Sequence, residues 1–107
     1  MAAQARKGRI LIRHIALFRY RPELSESEKT ELCRAVDEFL ASWEEKISGH
    51  CGPDLALREG NYDFGICVDF ADEQSYLAYA SHPHHLELLA KHIAPTTVAR
   101  AAMQFAF

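Results

Sequence analysis

Between residues 62 and 70 the chain alternates strictly. Tyr62, Phe64, Ile66, Val68 and Phe70 fall on one side of an extended backbone, and Asp63, Gly65, Cys67 and Asp69 fall on the other. A strand with one wholly apolar, largely aromatic face needs cover on that face alone, the usual condition of an antiparallel sheet with helices on one side. The remaining segments are therefore read for what pairs with this strand and what covers it.

Residues Ile10 to Tyr20, rich in β-branched and aromatic side chains and free of breakers until Pro22, predict a first strand. Its period of two puts His14, Ala16, Phe18 and Tyr20 on one face and Arg13, Ile15, Leu17 and Arg19 on the other. His14 thus lies on an apolar face, where a core histidine bonded to a backbone carbonyl is the simplest reading. Ser25-Glu26-Ser27-Glu28 is a capping box, and Leu32, Val36, Phe39, Leu40 and Trp43 then form one buried stripe of a helix running to about Trp43. Burying side chains of this size contributes about 1.5–3 kcal/mol each, so this helix lies on the sheet.

Gly49, Gly52 and Pro53 interrupt the segment from Ile47 to Leu57, which reads as a short second strand carrying a bulge, followed by a loop through Gly60-Asn61. Asp72 caps a second helix holding Tyr76, Leu77, Tyr79 and Ala80. Pro83 breaks that helix and starts a third, with His82 at its cap. The third helix carries a stripe of Leu86, Leu89, Ala90 and Ile93 until Pro95. At about 100° per residue, His85 and His92 fall within roughly 20° of each other beside that stripe. Val98 to Phe107 closes the chain as a strand in which Met103, Phe105 and Phe107 alternate.

The order of elements is that of an α+β, ferredoxin-like βαββαβ fold with a four-stranded antiparallel sheet. Helices gathered on one face leave the other face bare, with Ile15 and Leu17 on it. Two copies are expected to pack sheet to sheet as a homodimer. The 107 residues suffice for one domain, spanning residues 10–107, that gains from a partner subunit. Arg6, Lys7 and Arg9 make residues 1–9 a basic, disordered N-terminal tail. Without them nine basic residues face fifteen acidic ones, a balance of −6, which argues against nucleic acid as a partner. No apolar run approaches the roughly 18 residues of a membrane helix, and the N-terminus carries no apolar signal segment. Cys33, Cys51 and Cys67 are odd in number and lack C-x-x-C spacing, so reduced thiols in a soluble, cytoplasmic protein are expected.

The chemistry concentrates in Tyr79-Ala80-Ser81-His82-Pro83-His84-His85, which holds three of the six histidines. His84 points away from His85 by about 100°, so no metal site is expected from His82, His84, His85 and His92.

Several stretches together resemble the stress-responsive dimeric α/β-barrel (Dabb) family. They are Arg13-His14-Ile15-Ala16-Leu17-Phe18-Arg19-Tyr20, Gly52-Pro53-Asp54-Leu55, Glu59-Gly60-Asn61-Tyr62-Asp63-Phe64, Val68-Asp69-Phe70 and the His82-Pro83-His84-His85 match to a His-Pro-x-His signature. The resemblance spans residues 10–107 and implies a dimeric α+β barrel. Within this family a plant cyclase makes olivetolic acid by intramolecular aldol condensation. Carried over by position, its catalytic tyrosine and histidine are Tyr79 and His85, and its first-strand pocket histidine is His14. The resemblance also puts Ile66 and Val68 in the pocket wall, where Phe18, Leu89 and His92 are further candidate substrate contacts. It implies a pocket for a small apolar or aromatic molecule and a lyase-type cyclisation without cofactor. A ligand-binding dimer without turnover and a cofactor-independent monooxygenase of the same barrel superfamily are the alternatives.

Overall fold

The computed structural model describes residues 10–107, so the basic tail expected over residues 1–9 lies outside the described residues. Strand β1 (Ile12–Tyr20) is followed by helix α1 (Glu26–Ser42), strands β2 (Ser48–Pro53) and β3 (Phe64–Phe70), helices α2 (Glu73–Ser81) and α3 (Pro83–Leu88), and strand β4 (Thr97–Ala106). The sheet order is β2-β3-β1-β4 with every neighbouring pair antiparallel, which is the ferredoxin-like fold.

The alternation sorts as the sequence predicts. Ile12, His14, Ala16 and Phe18 of β1 and Phe64, Ile66, Val68 and Phe70 of β3 are buried beneath the helices. Helix α1 covers them with Leu32, Ala35, Val36 and Leu40, and Trp43 completes the cover at its C-cap. Its capping box is formed: Glu28 N–H donates to Ser25 Oγ at 3.1 Å, and Ser25 N–H donates to Glu28 Oε1 at 2.9 Å.

The opposite sheet face carries Ile15, Leu17, Met103 and Phe105, with Leu17, Met103 and Phe105 exposed. An ion pair lies at one end of that face, where β1 starts and β3 ends. Arg13 donates from Nε to Asp69 Oδ1 and from a terminal nitrogen to Oδ2, both at 2.8 Å, while Ser48 Oγ donates to Oδ2 at 3.2 Å. The Arg13 guanidinium also stacks over the Phe107 ring at 4.6 Å. Three donors hold the Asp69 carboxyl below its ordinary range, the Arg13 hydrogen bond most of all.

Three expectations need correction. The second strand pairs with β3 in unbroken register from Ser48↔Asp69 to Pro53↔Phe64 and has no bulge. Gly49 is there because a Cβ would meet the Lys46 and Leu40 side chains at 3.1–3.4 Å. The register shift lies instead between Arg19 and Tyr20, where β1 pairs with β4. The strong central strand starts at Phe64, two residues later than expected, since Tyr62 lies outside the ladder with the Arg19 guanidinium over its ring at 4.4 Å. The stripe of the third helix also differs: Leu88 and Ile93 are buried, Leu89 is half-buried, and Leu86 and Ala90 are exposed. A π-helical turn over Leu89–Ile93, with Ala94 N–H donating to Leu89 O at 2.8 Å, widens the spiral and breaks the 100° phase.

The capping box starts the helix that roofs the core. Ser25→Ala removes the acceptor for Glu28 N–H and should lower stability by about 1 kcal/mol in urea denaturation without changing the m-value.

Candidate functional site

The site is built where α2 ends and α3 begins. Asp72 caps α2 by accepting from Ser75 N–H at 2.8 Å, which sets the phase that turns Tyr76 and Tyr79 toward the sheet. His82 closes α2 with an extended backbone (ψ 138°), as the residue before a proline must, and serves again as the N-cap of α3. Its Nδ1 accepts from His84 N–H at 3.1 Å, while Pro83 occupies the first helical position. His85, one turn beyond Ser81, therefore swings back over Tyr79.

The two rings lie 4.4 Å apart, centre to centre, inclined at 38°. Tyr79 is 2% exposed and walled by Phe70 at 5.0 Å, Trp43 at 5.6 Å and Phe39 at 5.8 Å. Its hydroxyl makes no hydrogen bond among the described residues. It is not sealed, because Trp43 Nε1 alone among them is a fully buried side-chain polar atom without a partner. Burial raises the Tyr79 phenol well above its ordinary 10.0, so it stays protonated.

His14 completes the group from β1, 6.1 Å from Tyr79 and 5.1 Å from Tyr76 between ring centres. A backbone carbonyl was its expected partner. The partner is instead the side chain of Gln104, directly opposite it on β4, whose amide nitrogen stands 2.9 Å from His14 Nδ1.

The partners give the two histidines opposite roles. His85 Nδ1 is 3.0 Å from Ala80 O, an acceptor only, so Nδ1 carries the proton and Nε2 is left as a bare lone pair. His14 Nδ1 accepts from the Gln104 amide, so its proton sits on Nε2, a donor. Desolvation keeps both rings neutral near pH 7: His14 is lowered to about 4 and His85 is lowered from 6.5. The positive charge of Arg100 on β4 pushes both the same way. One imidazole with a bare nitrogen, one imidazole donor and one phenol donor thus lie together, the Tyr79 ring 4.4 Å from His85 and 6.1 Å from His14 between centres.

An open groove of about 290 Å³ between α2 and the β1–β4 edge is lined by Ile12, Glu73, Tyr76, Leu77, Gln104, Phe105 and Ala106. Its Tyr76 and Gln104 both contact His14. The other candidates lie elsewhere. Phe18, Ile66 and Val68 are sealed in the core at 3, 7 and 0% exposure, and Leu89 is half-buried at its edge. His92 does not join His85. It lines a separate groove between α1 and α3 with Arg34, Phe39 and Leu88, since the π-helical turn rotates it away.

Residue spacing alone did not bring out Gln104, Tyr76 and Arg100. The signal was present in β4, where Arg100, Ala102, Gln104 and Ala106 alternate on the face opposite the bulky Met103 and Phe105. The histidines near Pro83 do not converge on a point, since His85 Nδ1 is engaged by Ala80 and His92 faces the other groove.

A dimeric ferredoxin-like protein of unknown function from Thermobifida fusca is 37% identical, with a TM-score of 0.84 over 94% of this chain and 93% of its own. A Dabb family protein from Mesorhizobium loti is 19% identical (TM-score 0.77, 90% of this chain and 95% of that one). The hydroxynitrile lyase from Passiflora edulis is 20% identical (TM-score 0.77, 91% and 93%). At such identities the last two are similar in fold alone. No curated protein matches the sequence. With the stress responsive A/B barrel domain matching residues 12–107, a span that contains every strand, every helix and the whole Tyr79–His85–His14 group, the chain belongs to the Dabb family.

Proposed function

We propose that this protein binds a small apolar or aromatic molecule between sheet and helices and closes it into a ring as a cofactor-independent lyase of the polyketide-cyclase type. The observation that carries the reading is the packing of the Tyr79 phenol on a His85 ring whose tautomer leaves Nε2 free. In the proposed reaction Nε2 takes a proton from the acidic C–H between two carbonyls, becoming imidazolium. The carbanion attacks a second carbonyl of the same chain, forming the carbon–carbon bond. The phenol of Tyr79 and Nε2–H of His14 donate hydrogen bonds to the oxygens that gain charge, and the proton on His85 returns to the new alkoxide. The surrounding aromatic rings hold the chain folded and keep water out. A lyase among the proteins of like fold is compatible with the reading and does not establish it.

The working unit in this reading is a homodimer packed through the open sheet face, since Leu17, Met103 and Phe105 are 38, 57 and 39% exposed on it. The 37% identical relative is itself described as dimeric.

Three measurements test these statements. On a tri- or tetra-β-ketide thioester, Tyr79→Phe and His85→Ala should each lower the rate about 100-fold or more with the fold retained by circular dichroism. Full activity in both would refute the mechanism. The rate should be level near pH 7 and decline as pH falls between about 6.5 and 4, because both histidines act as neutral rings whose values are lowered and protonation removes the base. No alkaline limb should appear below pH 10, since the Tyr79 phenol is shifted upward. Sedimentation equilibrium at micromolar concentration should give a dimer for the wild type and a monomer for Met103→Glu, whereas a wild-type monomer would overturn the assembly.

A further inference from the structure

The three cysteines have no metal-binding spacing in the sequence, but the fold brings two of them together with a carboxylate. Cys33 and Asp37 lie four residues apart on α1 and so share one helix face. Cys51 sits on β2 in register with the core residue Ile66, so its side chain points toward the helix layer. The Cys51 thiol donates to Asp37 Oδ1 at 3.1 Å, and Cys33 Sγ stands 3.9 Å from Asp37 Oδ2. All three donor atoms fall within 4.8 Å of one another.

We infer that Cys33, Asp37 and Cys51 form a binding site for a thiophilic divalent cation of the zinc class, which clasps α1 to the edge strand β2. A tetrahedral zinc ion, with bonds of about 2.3 Å to sulfur and about 2.0 Å to oxygen, holds neighbouring donors about 3.5–3.8 Å apart. The two sulfur–oxygen separations, 3.1 and 3.9 Å, lie on either side of that spacing, and the whole trio comes within it by side-chain adjustments on the order of 1 Å. Two soft sulfurs select zinc or cadmium over magnesium or calcium. No competing cation holds the carboxylate: among the described residues Asp37 forms no ion pair, and its neighbour Arg34 is taken by Glu31 and Glu38.

Binding exchanges two S–H protons for one M²⁺. Both protons leave to solvent, both sulfurs become thiolate ligands, and the net charge of the trio stays at −1. Asp37 is exposed, which gives the ion an entry path and leaves the fourth position to water. The site is on the α1–β2 flank, away from Tyr79 and His85, so it stands or falls independently of the proposed reaction. Cys67 lies on the open sheet face, paired in register with His50, and takes no part.

The test is a Co²⁺ titration of the full chain kept reduced with a phosphine. The expected result is one Co²⁺ per chain, with thiolate-to-cobalt charge-transfer absorption and tetrahedral ligand-field bands that disappear when Zn²⁺ displaces the cobalt. Cys51→Ser and Cys33→Ser should abolish the charge-transfer band. Asp37→Asn, at an exposed position, should weaken binding at least tenfold with an unchanged circular dichroism spectrum, and Cys67→Ser should change nothing. A wild-type protein without the band, a band that persists in Cys51→Ser, or one lost in Cys67→Ser would each overturn the site.

Discussion

The peptide before Pro83 is the constraint on which the site depends. A proline disfavours helical dihedrals in the preceding residue, and His82 is extended, so α2 stops there. The same ring has no N–H to lose, so the next helix can start at once. His82 serves both ends, closing one helix and accepting the His84 N–H of the other. The result is a change of direction within one residue, which lays His85 over the last turn of α2. A longer linker would let the imidazole turn to solvent, and an unbroken helix would carry it past Tyr79 on the far side.

The chemistry then follows from what surrounds that corner. Phe39, Phe70 and Trp43 leave Tyr79 almost no water, and the same apolar enclosure keeps both imidazoles uncharged. Identity alone does not set the roles of the histidines. A backbone carbonyl behind His85 and a side-chain amide behind His14 put their protons on opposite nitrogens, so one ring can take a proton while the other donates. Two residues of one type thereby acquire complementary protonation patterns from their hydrogen-bond partners.

Much of this was legible in the residues. Alternation in β1 and β3, the Ser25 capping box, the Asp72 cap and the Pro83 break are local signals whose geometry is fixed by steric rules, and they appear in the structure as predicted. What escaped were effects that depend on a neighbour distant in sequence. Gln104 reaches His14 only through the β1–β4 register, and Cys51 meets Asp37 only once α1 lies over β2. Gly49 suggests an irregular strand and is instead a place where the Lys46 and Leu40 side chains press on a regular one. The π-helical turn has no residue signature in the sequence, so the 100° spacing puts Ala90 inward and groups His92 with His85 where the structure does not.

That turn has a consequence for how the two parts of the helix are oriented. A π turn holds one residue more than an α turn, so Leu89–Ile93 acts as a phase shifter between two rigid parts: everything before it keeps the orientation set by Pro83, and everything after it is rotated. Rewinding that turn to α geometry with every residue kept would swing position 92 back toward His85, changing the number of imidazoles near the phenol without substituting any of them. The winding of this one turn thus decides which side chains face the Tyr79 ring, while the sheet, the aromatic enclosure and the corner at His82 stay as they are.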